Sequence, residues 1–440
     1  MKTKLHFIFQ GDTTPGLTEN MSLASSKLIK FLTMITPDVI DTIDYIGVEH
    51  KDIMQAQMID SDTFDCPYEV SVDIADVLCE GTMRSDSINV FVIPWSKDFM
   101  MLPKAKECIA PLHDIQDNNN NVVLLADYSH ESMIPGPVGT HLLATDIGMW
   151  LQPQRYLMCM LSAEQPINMA SPVPFKDITY SSNYVTATLL EMIEVEDNLK
   201  QRPIHSWPGK TGKFKYINPN RIGRQHRLDL IVKMHQRDML FDCEWSMMIP
   251  DQDNLADSEY FNLFGTAPRY MSKPWHWWSS MKNESEQRGG PIQTMPNSLA
   301  DSGLVYIVQD TFLEYKFGGG GPTNRPIDPN MPMQVYDVSE KILKPLIYGL
   351  PFFYSNRLGT VDMLRKLGFW MPGGDYNNVQ DPNDRQHALL DAAAEFEDTI
   401  SQKTVELLEH NKQLILSKQL HYDISGRALF EAIHRCADNS

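Results

Sequence analysis

The sequence predicts an α/β protein of two doubly wound domains followed by a helical C-terminal extension. Three observations predict this. Short apolar runs of the kind that form buried parallel strands recur along the chain, among them Asn89–Pro94 and Val122–Ala126. Stretches with helical apolar spacing lie beside them, as in Ser22–Ile35, where Leu28, Phe31, Leu32 and Ile35 share one side. The length of 440 residues exceeds one ordinary core and suits two domains.

Taken in order, Leu5–Phe9 reads as a first strand, Ser22–Ile35 as a helix and Thr42–Val48 as a further strand. Asn118 to Asn121 form a polar turn before the Val122–Ala126 strand. Two Pro/Ser/Gly-rich stretches follow, Pro166 to Pro174 and Gln201 to Gly212, and the second marks a boundary. The expected domains are therefore 1–205, 206–380 and a helical tail, 381–440. In the second, Lys213–Asn218 is strand-like, Leu228–Met239 helical, Leu304–Val308 a strand, Val338–Tyr348 a helix and Phe352–Ser355 a strand. Thr360–Leu367 reads as a helix stopped by Gly368. Asp381-Pro-Asn-Asp has cap residues and a first-turn proline. A helix-rich segment runs from there to about Leu420, and Gly426 lies between it and a last short helix.

Composition limits the function classes. Hydrophobic residues make up 42% and charged residues 22%, which is globular composition. The formal charge of −19 disfavours binding to duplex DNA and anionic lipid surfaces. No apolar stretch reaches the length of a membrane span, and the N-terminus lacks the pattern of a signal peptide. The six cysteines are scattered without a Cys-x-x-Cys, so buried free thiols in a reducing, cytoplasmic compartment are expected. No His/Asp/Glu group has metal-ligand spacing, and no Gly-x-Gly-x-x-Gly follows a strand, which disfavours a dinucleotide-dependent oxidoreductase.

Four segments are candidates for chemistry. Arg221, Arg224, His226 and Arg227 gather where a strand gives way to a helix. Cations at a helix N-terminus oppose its positive field, and an anion such as a diphosphate resolves the conflict. A surface basic cluster paired with carboxylates is the alternative. Tyr336 precedes Ser339, Glu340 and Lys341, with Lys344 one turn on. Glu340 and Lys344 form an i,i+4 pair, or else Glu340 accepts from a ribose diol while Lys341 meets a phosphate. Asp310 ends a strand, and Asp127, His130 and Glu131 follow another, where ligands of α/β sheets bind. Helix or loop capping is the alternative at both places. The Trp275/Trp277/Trp278 cluster and the Gly318–Gly321 run carry weaker signals.

In this order the segments resemble phage and giant-virus glycosyltransferase-like proteins. The resemblance rests on Asn218 to Arg227, on Val308-Gln-Asp-Thr, and on Ser339-Glu-Lys-Ile-Leu-Lys-Pro. Pro351-Phe, Gly359, Leu364-Arg-Lys-Leu-Gly-Phe369 and Asp381-Pro-Asn-Asp-Arg extend it. The Glu-Lys block is also similar to the donor motif of α-1,3-fucosyltransferases. The resemblance implies two Rossmann-like domains of the GT-B type, with a nucleotide sugar as co-substrate and no metal or other cofactor. It implies a hexosyl or fucosyl transfer, with Glu340 on ribose and Lys341 with one of Arg221, Arg224 or Arg227 on phosphate. A carboxylate base belongs to the first domain, and Asp127 or Glu131 fills that role by position. The acceptor stays open among a glycan, a protein and a modified base. Asp310 replaces the family's Glu, and the tryptophan-rich insertion departs from its pattern. A non-catalytic virion or assembly protein on the same fold is the alternative function.

Overall fold

The computed structural model describes residues 2–10, 28–35, 64–75, 78–94, 105–128, 152–160, 175–181, 186, 189–190, 192, 214–222, 225–248, 300–309, 340–355, 359–373 and 375–438. The chain forms two compact units, each on its own parallel sheet. One comprises Met1–Glu194, Gln334–Val338 and Leu416–Ser440, and the other Val195–Met333 and Ser339–Ile415. The C-terminal helices are thus divided between the two units.

The first unit carries strands β1 (Thr3–Gln10), β2 (Tyr68–Ala75), β3 (Ile88–Pro94), β4 (Val122–Tyr128), β5 (Tyr156–Met160) and β6 (Asp177–Tyr180). Their order is β2-β1-β3-β4-β5-β6, every pair parallel. The sheet grows outward in both directions from β1 and β3, which makes a doubly wound arrangement with its reversal between those strands. Central strands are buried on both faces, as the runs in β3 and β4 require. The edge strand β2 instead alternates, with Val70 and Val72 buried between the more open Glu69, Ser71 and Asp73. Its polar half hides it from a search for apolar runs. Helix α1 (Ala105–Asn118) buries Ile109, Leu112 and Ile115 and ends at the expected polar turn.

The tail completes this unit. Residues 28–35 are helical, as the spacing of Leu28, Phe31, Leu32 and Ile35 predicts, while Thr42–Val48 lies outside the described residues. Gly426 does not break the C-terminal helix. A π turn at Tyr422–Gly426 leads without interruption into the terminal helix Arg427–Asp438. Glycine is present because a Cβ there would sit 2.9 Å from Tyr422 Cδ2 and 3.0 Å from Phe31 Cζ. Phe430 then stacks with Phe7, Phe31, Tyr68 and Tyr422, at ring-centre distances of 5.2 to 6.4 Å.

The second unit carries β7 (Phe214–Ile222), α2 (Gln225–Gln236), β8 (Cys243–Met248), β9 (Gly303–Gln309), α3 (Leu343–Tyr348), β10 (Phe352–Ser355) and α4 (Thr360–Lys366). Two helices follow, α5 (Pro382–Glu395) and α6 (Gln402–Ile415), within the stretch expected to be rich in helix. Sheet order is β10-β9-β7-β8, again all parallel, so direction reverses between β7 and β9. The strand β7 runs four residues beyond its expected end, to Ile222. Pro345 is accommodated because α3 is short and starts only two residues earlier, where a backbone N–H lacks an intrahelical acceptor. Gly368, at φ 97°, closes α4, donating its N–H to the Arg365 carbonyl at 2.9 Å. Asp381 caps α5 by accepting from Asp384 N at 2.9 Å, with Pro382 at the first helical position. Among the described residues no helix is long and apolar enough to cross a membrane.

Candidate functional site

In open parallel sheets ligands bind outside the carboxyl ends of the strands where the winding reverses. In the second unit that point lies between β7 and β9, which pair from Phe214↔Gly303 to Ile217↔Tyr306. Several of the sequence candidates belong to, or directly follow in the chain, the elements that flank it. Arg221 is the penultimate residue of β7, not part of the turn, and Arg227 is the third residue of α2. Asp310 directly follows the last residue of β9 in the chain. Glu340 and Lys341 form a 3-10 turn that leads into α3 and lies against β9. Because α3 runs back to the start of β10, the N-terminal end of this helical stretch is directed to the same edge as the strand carboxyl ends.

The described side chains differ in setting. Arg227 is buried, with 4% of its surface exposed. Lys341 and Lys344 are half-buried. The side chains of Arg221 and Glu340 lie outside what is described, as do Arg224, Asp310 and Tyr336 entirely. The first turn of α2 is braced from α5: Gln386 Nε2 donates to the His226 carbonyl at 2.9 Å, and Lys233 Nζ donates to Gln386 Oε1. Burial, the largest influence, lowers the Lys233 pKa. This brace sets the position of Arg227 one residue away.

A row of polar side chains at the same edge was not singled out by sequence reasoning. Asn218 and Asn220 on β7 and Gln309 on β9 are all buried. Asn218 Nδ2 donates to the Ile307 carbonyl at 3.0 Å, and Asn220 Nδ2 donates to Asn218 Oδ1 and, at 2.8 Å, to Gln309 Oε1. Asn218 and Asn220 lie two apart in β7, and that spacing is the signal that identifies them, since such residues share a face. Ser355 ends β10 as the register partner of Gln309. Thr360 opens α4 behind Gly359, and Asn377, with its amide oxygen turned toward them, accepts from Gly359 N at 3.0 Å and Val361 N at 3.3 Å.

In the first unit Asp127 is the sixth residue of β4, fully buried, with Pro94 and Cys159 as register partners. Burial chiefly, and then the Asp127 charge, push the Cys159 thiol well above its ordinary range, so this cysteine is an inert core group. His130, Glu131, the tryptophan cluster and the Gly318–Gly321 run lie outside the described residues. The described free cysteines are Cys66, Cys79, Cys159, Cys243 and Cys436. The sequence matches no family model, and no curated protein is similar to it.

Proposed function

We propose that this protein is a glycosyltransferase that moves a hexosyl or fucosyl group from a nucleoside diphosphate donor to an acceptor hydroxyl. The donor diphosphate binds at the carboxyl edge of β7 and β9 in the second unit. One observation supports the reading: the end of β7 with the start of α2, and the turn Glu340–Ile342 packed against β9, belong to the two strands between which the winding of that sheet reverses. Arg227 on α2 and Lys341 in that turn belong to these elements, and a chain of buried amides runs across β7 and β9. A helix start is itself favourable to an anionic ligand. The resemblance of the Glu-Lys block to a donor motif points the same way.

In this mechanism the acceptor oxygen attacks the anomeric carbon as the bond from that carbon to the diphosphate oxygen breaks. The acceptor proton passes to a carboxylate base, the part that the resemblance assigns to Asp127 or Glu131. Arg227, Lys341 and their neighbours offset the charge that develops on the departing diphosphate, the role a divalent metal fills in other transferases. Glu340 accepts from the ribose diol. Nucleotide sugars are therefore the expected small-molecule partners, and the acceptor is a glycan, a protein or a modified base in the cytoplasm, that of an infected host if the chain is viral.

Calorimetric titration with a panel of nucleoside diphosphates and nucleotide sugars tests this. Binding by the wild type, lost in the double variant Glu340→Ala/Lys341→Ala with its fold intact, is the expected result. Failure of every nucleotide to bind well-folded protein at millimolar concentration would sink the transferase reading and leave a non-catalytic assembly role on the same fold.

A further inference from the structure

The cations of the second unit account for a diphosphate but not for a second set of groups on the same edge. Gln309 and Ser355 end neighbouring strands as register partners, so both side chains leave the sheet on one face. Each is 4% exposed, and Thr360, five residues beyond Ser355 at the start of α4, is fully buried. Gln309 Nε2, Ser355 Oγ and Thr360 Oγ1 have no hydrogen-bond partner among the described residues. An unmatched buried polar group costs about 1–3 kcal/mol, so three along one edge call for a ligand.

The orientation of Gln309 follows from its neighbours. The Ile307 carbonyl only accepts, so Asn218 faces it with Nδ2 and presents Oδ1 to Asn220. Asn220 directs Nδ2 to that oxygen and to Gln309 Oε1. Gln309 is left with its Nε2 as the outward group, a donor. Asn218 and Asn220 are thus positioning residues, and Gln309 meets a ligand oxygen. Ser355 and Thr360 each donate and accept. Beside them Gly359, at φ +83°, has no described atom within 4 Å of where a Cβ would stand.

We propose that Gln309, Ser355 and Thr360 form a neutral subsite for the hydroxyl groups of a sugar ring, the one transferred from the donor; this rests on the reading of the second unit as a nucleotide-sugar site. Phosphate oxygens only accept and carry charge, which suits the arginines and lysines. Ring hydroxyls both donate and accept, which matches two hydroxyls and one oriented amide. The three side chains set which sugar is accepted, while the cationic segments hold the part common to all donors.

The double variant Ser355→Ala/Thr360→Val and the single variant Gln309→Met are measured two ways. Calorimetry compares a nucleotide sugar with its parent nucleoside diphosphate, and melting is followed without ligand. The expected result is about a tenfold or greater loss of affinity for the nucleotide sugar, the share of one hydrogen bond. Affinity for the diphosphate is unchanged, and the unliganded Tm of the double variant is equal or higher because unmatched hydroxyls have been removed. Unchanged affinity for the nucleotide sugar overturns the proposal. So does a fall of several degrees in the unliganded Tm of the double variant, because the hydroxyls are then bonded within the chain. If the wild type binds no nucleotide, the parent reading fails by itself. The subsite is then judged by saturation-transfer NMR with millimolar hexoses: a transfer signal that the wild type gives and the variants do not upholds it, and no signal from the wild type overturns it.

Discussion

Replacing Phe430 with alanine destabilises the first unit by about 4 kcal/mol, the range for an aromatic ring removed from a packed core. The ring is fully buried and meets Phe7 of β1, Phe31, Tyr68 of β2 and Tyr422. It therefore joins the end of the chain to strands formed at its beginning, and little nearby can collapse into the space it leaves. Removing the ring frees the terminal helix, whose buried positions Leu429, Phe430, Ile433 and Cys436 face that same core. Urea unfolding of wild type, Phe430→Leu and Phe430→Ala measures the effect. The leucine variant keeps most of the stability. A cost under about 1 kcal/mol for alanine would show that the tail is not part of this core.

The second large effect lies at the candidate site. Asn220→Leu removes the donor shared by Asn218 Oδ1 and Gln309 Oε1 and leaves two buried oxygens unmatched, at about 3 kcal/mol in total. Asn220 is 4% exposed, so water does not replace the lost donor from bulk. The triple variant Asn218→Leu/Asn220→Leu/Gln309→Leu costs less than Asn220→Leu alone, because it removes the stranded acceptors together with their donor. Denaturant melts of the single and triple variants give both numbers. Simple additivity of the three single costs would contradict a coupled amide chain.

The α/β class was legible in the sequence because the central strands are buried on both faces. Their side chains form continuous apolar runs such as Val90 to Ile93 and Val122 to Ala126. The edge strand β2 escaped because one of its faces is polar. The helix α1 escaped because Pro111 and several polar residues interrupt its apolar spacing. Local chemistry marked the caps well: Asp381 with Pro382, and Gly368 after α4, need only near neighbours. Parallel strand order depends on pairing between distant segments, so no local pattern could show that β7 pairs with β9 across the long insertion. The cationic candidates were legible as residue types at a strand end. The amides were not, since Asn218 and Gln309 gain their meaning from a hydrogen-bond chain that links two strands. Glycine at 426 was misread for a related reason, as its role is a close approach by Phe31 and not a turn.

Hydrogen–deuterium exchange with and without a saturating nucleoside diphosphate tests the central claim most directly. The account predicts slower exchange in the peptides that carry the end of β7 with the start of α2, the end of β9, and Glu340 to Leu346. Protection confined to the first unit, or exchange unchanged throughout while the nucleotide is bound, would contradict a diphosphate site at the carboxyl edge of β7 and β9.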